Sequence, residues 1–256
     1  LVITPLAAEN AAPATSPSEI VAVHAIAMHG SPKAPPGFAH FPYVAPNAPK
    51  GGRIVVGVSG SYDNLNPLIV RGNPVAGMRE YVYETLLARS LDEPCSLYGL
   101  LAQAVEMPDD RSSITFNLDP RARFSDGHTV TADDVLFSWQ LLRDKGRPNH
   151  RAYYSKVVGA ERVGERSVRF TLGSSGDREL PLILGLMPVL PKHLVDPATF
   201  EQTTLTPLVG SGPYKVSRGD AGRAITYARD TGYWGRDLAA NRGRFNFDEV
   251  RFEYYR

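Results

Sequence analysis

Between Ile114 and Leu142 the spacing of apolar residues changes period, and the chain is organised around that change. Ile114, Phe116 and Leu118 alternate with polar residues, as in a half-buried strand. Val135, Leu136, Trp139 and Leu142 then recur at near-helical spacing. Between the two patterns lies turn chemistry, Ser125-Asp126-Gly127, where Asp bonds its own backbone and Gly accepts a positive φ. Thr131 falls where a helix N-cap is needed, with Asp134 three residues on in the capping-box place. Asp133 and Asp134 put negative charge in the first turn, where the helix dipole favours it. Lys145-Gly146 is the stop signal. The predicted unit is strand, loop, turn and capped helix, and its role is stability rather than chemistry.

The same reading extends along the rest of the chain. Residues 20–28 are short and apolar, a candidate strand. Residues 30–52 carry prolines throughout, which predicts an extended arm lying on a surface. Residues 53–58 (RIVVGV) read as a buried strand that leaves into a polar loop, closed by Leu65-Asn66-Pro67. Residues 75–88 are helical in pattern, with Met78, Val82, Leu86 and Leu87 apolar, and 99–105 are a short connector. Residues 157–163 and 167–172 form a hairpin joined by Gly164-Glu165-Arg166. Residues 180–190 are apolar and compact. Gly210-Ser211-Gly212-Pro213-Tyr214 is a glycine turn feeding a strand. Residues 224–228 and 247–255 are further strands, and no internal repeat is present.

Composition narrows the function. The chain has 256 residues and 43% apolar content, ample for a core, and no run long enough to span a membrane. Its 28 basic and 27 acidic residues give a net charge of +1, which excludes a nucleic-acid footprint. Cys95 is the single cysteine, so no internal disulfide is possible, and it reads as a small buried apolar side chain. Residues 1–24 read as a flexible tail or signal-peptide remnant, which favours export.

Catalytic patterns are missing. There is no G-x-S-x-G, no Walker lysine loop, and Gly210-Ser211-Gly212 lacks the third glycine of a dinucleotide fingerprint. The six histidines form neither H-E-x-x-H nor a close pair with a carboxylate, so no metal site is expected. No nucleophile has a base beside it. These absences point to a protein that is not an enzyme and needs no cofactor.

Several pieces do fall in a familiar order. Gly51-Gly52 precedes a strand, and Leu65-Asn66-Pro67 and Tyr83-Glu84-Thr85-Leu86-Leu87 follow it. Next come Phe124-Ser125-Asp126-Gly127 and Thr131-Ala132-Asp133-Asp134-Val135. Val189-Leu190-Pro191-Lys192-His193, Gly210-Ser211-Gly212-Pro213-Tyr214 and Tyr233-Trp234-Gly235 complete the order. This resembles the family 5 extracytoplasmic solute-binding proteins of ABC transporters, the oligopeptide/dipeptide/nickel class. The arm from His29-Gly30 to Pro49-Lys50-Gly51-Gly52, with Phe38-Ala39-His40-Phe41, resembles the Yej-type oligopeptide-binding subgroup. Ser211 stands where the family usually has Thr, a change that keeps the hydroxyl.

The resemblance implies an α/β fold: a mixed-sheet lobe of a type II periplasmic binding protein with an inserted α+β subdomain. Residues 25–78 and 195–256 would form an incomplete ligand-binding lobe, 79–194 the inserted subdomain, and the second lobe would be absent from this chain. It implies a periplasmic protein that captures oligopeptides between two lobes and delivers them to a membrane permease, a hinged trap closed by its ligand. Extended peptides can be held there through backbone hydrogen bonds. On this lobe the expected contacts are Ser59, Gly60, Ser61, Tyr62, Asp63 and Asn64, with Tyr62 the largest surface. Asn66, Ser211 and Gly212 come second, with turn geometry as their alternative role. The competing functions are an envelope peptide hydrolase, or the same fold holding a nickel chelate, haem, murein tripeptide or opine-like conjugate. Without strands from the second lobe, residues 247–255 are expected to present an unpaired sheet edge. That edge would be met by a separate C-terminal chain, after a cut at Arg256, or by self-association.

Overall fold

The period change around Phe124 produces the elements it predicts. In a computed structural model describing residues 20–174 and 176–255, Ser113–Leu118 is a strand and Ala132–Lys145 a helix. The tail at residues 1–19 and Arg256 lie outside the described residues. In chain order the strands are β1 (Ala25–Ala27), β2 (Arg53–Ser59), β3 (Leu87–Arg89), β4 (Ser96–Gly99), β5 (Ala102–Glu106), β6 (Ser113–Leu118), β7 (Val157–Gly164), β8 (Ser167–Leu172), β9 (Tyr214–Asp220), β10 (Ala224–Arg229) and β11 (Glu249–Tyr255). The helices are α1 (Met78–Tyr81), α2 (Ala132–Lys145), α3 (Pro148–Tyr154) and α4 (Leu180–Gly185).

Helix α2 begins at a full capping box. The Asp134 N–H donates to Thr131 Oγ1 at 3.3 Å, and the Thr131 N–H donates to Asp134 Oδ2 at 2.9 Å. The second carboxylate oxygen of Asp134 accepts the Lys192 N–H at 3.0 Å, so the cap also fastens a distant segment. One turn on, Ser138 Oγ accepts the Leu190 N–H at 2.8 Å. Gly146 ends the helix without a left-handed φ; a Cβ there would lie 2.4 Å from the Leu142 carbonyl. Thr131→Ala is expected to cost about 1 kcal/mol in urea unfolding and to leave ligand affinity unchanged. An unaltered midpoint would show that the hydroxyl bond carries no stability.

Three sheets surround the core. One has the order β5-β6-β8-β7, all antiparallel, with the predicted hairpin at β7–β8. A second has the order β2-β11-β10-β9, in which β11 runs antiparallel to β10 and parallel to β2. The third, β1-β4-β3, draws the N-terminal arm onto residues 96–99. The arm is fixed by aromatic packing: the rings of Phe38 and Phe41 lie 5.3 and 5.2 Å from that of Tyr98. A single cluster of buried side chains runs from Ile26 through Leu86, Phe116 and Phe170 to Tyr227 and Val250. The sheets on either side of residue 79 therefore share one core.

The structure corrects several expectations. Strand β11 is interior, not an unpaired edge, because β2 pairs along it from Arg53↔Glu249 to Tyr255↔Ser59. The edges are β2 and β9. As an edge covered on one face, β2 alternates half-buried Ile54, Val56 and Val58 with exposed neighbours instead of being buried throughout. Residues 99–105 are mostly strand, not connector. Cys95 is exposed, at φ +64°, because it sits on the turn whose carbonyl receives the Met28 N–H.

The expected helix over 75–88 is only four residues long. Beyond Tyr81 the backbone carbonyls are claimed by distant segments: Val82 by the Gly212 N–H (2.9 Å), Glu84 by Val189 (3.0 Å) and Leu86 by Ala102 (2.8 Å). Tertiary hydrogen bonds of this kind override local propensity.

Candidate functional site

The extended stretch 82–86 threads through the middle of the molecule and turns Glu84 inward. Its carboxyl is buried. Tyr233 Oη donates to Oε1, and Trp234 Nε1 donates to Oε2 at 2.9 Å. Asn241 Nδ2 donates to Tyr233 Oη at 2.7 Å and to the Gly235 carbonyl at 3.0 Å. Burial pushes the Glu84 carboxyl up to about 8, while the bonds from Tyr233 and Trp234 pull it partly back. Glu84 therefore keeps its proton at neutral pH. Burial and the neighbouring Glu84 hold the Tyr233 phenol far above its ordinary range.

Over this network opens a cavity of about 400 Å³. Its wall includes Arg79, Arg89 and Arg244 together with Glu80, Tyr83 and Glu84. Among the described residues, no carboxylate pairs with any of these three arginines. The Tyr83 hydroxyl in the same wall is buried and has no hydrogen-bond partner among the described residues. A second cavity of about 290 Å³ shares Pro213, Asn241, Arg244 and Phe245 with the first. Its lining carries Arg236 and Arg242 besides the shared Arg244; Arg229 pairs with Asp248, and Lys50 Nζ donates to Asn246 Oδ1 at 2.6 Å. Each cavity carries arginines that no carboxylate pairs with among the described residues, so either can accept an anionic group.

Residues 96–256 match the family described as bacterial extracellular solute-binding proteins, family 5 Middle. The chain belongs to this family. It is 47% identical over 243 residues to the peptidoglycan-binding protein YepA of Agrobacterium fabrum, covering 91% of this chain and 39% of that protein. It is 39% identical over 237 residues to the probable peptide-binding protein YejA of the same organism, covering 90% of this chain and 38% of that protein. Among solved structures it resembles the oligopeptide-binding protein AppA of Bacillus subtilis, in complex with a nonapeptide. That likeness has a TM-score of 0.67 at 24% identity, over 81% of this chain and 40% of that one. The fold is thus that of a type II periplasmic binding protein, and the sequence is of the Yej type. The chain spans about two fifths of the length of these relatives. The relatives carry the remaining part in the same polypeptide, which gives no support to a separate C-terminal chain.

The expected contact residues lie as follows in the fold. Tyr62 is buried, its ring 5.1 Å from that of Tyr254 and its hydroxyl donating to the Ala224 carbonyl at 2.9 Å. It is a core side chain, with a phenol pushed up to about 12 first by burial, and it offers no contact surface. Asn64 Nδ2 donates to the Asn66 and Arg71 carbonyls, and Asn64 Oδ1 accepts the Asn66 and Thr204 N–H groups. Asn66 Nδ2 donates to the Phe200 carbonyl at 3.0 Å. Both asparagines are consumed in shaping the backbone. Asp63 Oδ1 accepts the Asn73 N–H at 2.6 Å. Ser59, Gly60 and Ser61 are exposed at the end of the edge strand β2. None of residues 59–66 lines either cavity.

Ser211 and Gly212 border a third cavity of about 160 Å³, beside Phe124 and Trp234. Their constraint is steric. A Cβ on Gly210 would lie 1.9 Å from the Val82 carbonyl oxygen, and one on Gly212 would lie 2.6 Å from that of Tyr81. The glycines let the turn press against residues 81–82. Asp126, His128 and His193 also come together, correcting the expectation that no histidine approaches a carboxylate. In sequence, Glu84 was visible only as part of the Tyr-Glu-Thr-Leu-Leu motif inside a helical pattern. The three arginines, spread over more than half the chain, left no local signal.

Proposed function

We propose that this chain is the peptide-capturing part of the periplasmic binding component of an ABC importer. The arginine-lined cavity over Glu84 receives the anionic portion of the ligand, and the loaded protein hands it to a membrane permease. The observation that carries this reading is the set of unpaired arginines, Arg79, Arg89 and Arg244, around a carboxyl that stays neutral. A neutral Glu84 does not repel an incoming carboxylate, the three guanidinium groups outnumber Glu80, the other acidic side chain of this wall, and Tyr83 Oη is left to donate or accept. Guanidinium groups bind carboxylates through paired N–H donors. Peptides rich in free carboxylates, those derived from peptidoglycan among them, are the ligand class that fits. The names of the relatives YepA and YejA point the same way.

Calorimetry on the full-length protein with an acidic peptide tests this. Arg89→Ala and Arg244→Ala are each expected to weaken binding by about tenfold, the loss of one charge-assisted bond. The affinity of the parent is expected to fall with added salt. Unchanged affinity in both variants would remove the cavity from the ligand path. Recovery of cleaved peptide would favour a hydrolase instead.

A further inference from the structure

Outside the arginine-lined cavity, we propose that Asp126, His128 and His193 form a binding site for a divalent transition-metal ion. His193 Nε2 lies 2.7 Å from Asp126 Oδ2, and His128 Nδ1 lies 3.1 Å from the same oxygen. The two imidazole centroids are 4.0 Å apart, and the three ligand atoms lie within 4.8 Å of one another. Donors bound at about 2.0–2.1 Å around a tetrahedral ion stand about 3.4 Å apart, so small side-chain rotations suffice.

The arrangement is built by the turn. Gly127, at φ +93°, folds the chain between Asp126 and His128. Asp126 Oδ1 accepts the His128 N–H at 3.1 Å, fixing one carboxylate oxygen and leaving the other for the imidazoles. His193 comes from the segment that Asp134 fastens through the Lys192 N–H, and its ring packs edge-on against Phe124. Both arms of the site are therefore tied to the N-terminus of α2.

A purely structural clip between the turn and residue 193 needs one imidazole on the carboxylate. Here two address the same oxygen, and His128 is well exposed to solvent. Two imidazole nitrogens and one carboxylate oxygen suit Zn²⁺, Ni²⁺ or Cu²⁺ better than Mg²⁺ or Ca²⁺. Water completes the coordination, since only three protein ligands converge.

Untagged protein, stripped with chelator, is titrated with ZnCl₂ by calorimetry. One equivalent is expected to bind, with affinity lowered at least tenfold in His128→Gln and in His193→Gln and unchanged in His29→Gln. Zn²⁺ is also expected to raise the melting temperature of the parent but not of His128→Gln. If His193→Gln fails to fold, His128→Gln decides, because it leaves the His193–Asp126 bond in place. Absence of saturable binding in the parent, or equal binding in His128→Gln, overturns the site.

Discussion

From pH 6.5 to 8 the folded protein loses stability, and Glu84→Gln removes most of that slope. The cause is the buried carboxyl, raised from about 4.5 to about 8 chiefly by burial. Below pH 4.5 both folded and unfolded chains hold this proton, and its stabilising contribution is complete. Above that, the unfolded chain releases the proton while the folded chain keeps it, so stability falls by up to about 1.4 kcal/mol per pH unit until the folded group ionises near 8. His150 acts in the opposite direction: burial lowers it from 6.5 to about 4, so stability rises with pH across that interval. Asp119 is also lowered: burial raises it, but the hydrogen bonds and charge of Arg121 outweigh that. Its contribution is lost only as the solution becomes strongly acidic. The interval above 6.5 therefore isolates Glu84 among these groups. Urea unfolding at three pH values reads the slope. Glu84→Gln is expected to be less stable at pH 6.5 by about 1–3 kcal/mol, since an amide cannot satisfy Tyr233 and Trp234 equally, but nearly flat in pH. A parent with no slope would mean that Glu84 is ionised inside the protein.

Gly210→Ala is expected to prevent folding, at a cost above about 4 kcal/mol. The added methyl would occupy the space of the Val82 carbonyl oxygen, 1.9 Å away. That oxygen cannot retreat freely, because it accepts the Gly212 N–H at 2.9 Å. Moving it displaces residues 82–86, and with them the buried Glu84 that Tyr233 and Trp234 hold. Gly127→Ala provides the contrast. It meets no atom within 4 Å and suffers only a left-handed φ, a cost of about 1–2 kcal/mol. Soluble yield and circular dichroism separate the two variants, and a folded Gly210→Ala with the parent's melting point would contradict the steric argument.

These two sites show what was legible in the sequence. The capping box at Thr131 and the hairpin at Gly164 are local patterns that appear where their periods placed them, and the strand expected over 247–255 begins two residues later, at Glu249, leaving Phe247 exposed. The family was legible because many weak motifs lie in order. The helix over 75–88 failed where three carbonyls are bonded to segments far along the chain, which no window of neighbouring residues contains. The burial of Tyr62 was not legible because a polar loop at a strand end can still turn one aromatic side chain inward, here against Tyr254. Arg79, Arg89 and Arg244 become one surface only through the fold, so nothing in their spacing announces it.

The parallel pairing of β2 with β11 has a consequence for the order of assembly. Arg53 and Glu249 are bonded partners 196 residues apart. Closing a loop of that length costs about 2–3 kcal/mol more than closing one of ten residues. Hairpins such as β7–β8 can form on their own, whereas β2 has nothing to pair with until β11 exists and has been carried back to it. Contacts of such long range are slow to form. During synthesis the strand made first in this sheet is thus among the last to be secured. A chain clipped or stalled before Glu249 would leave both β2 and β10 with open ladders, two sticky edges that chaperones and proteases can recognise before any ligand does.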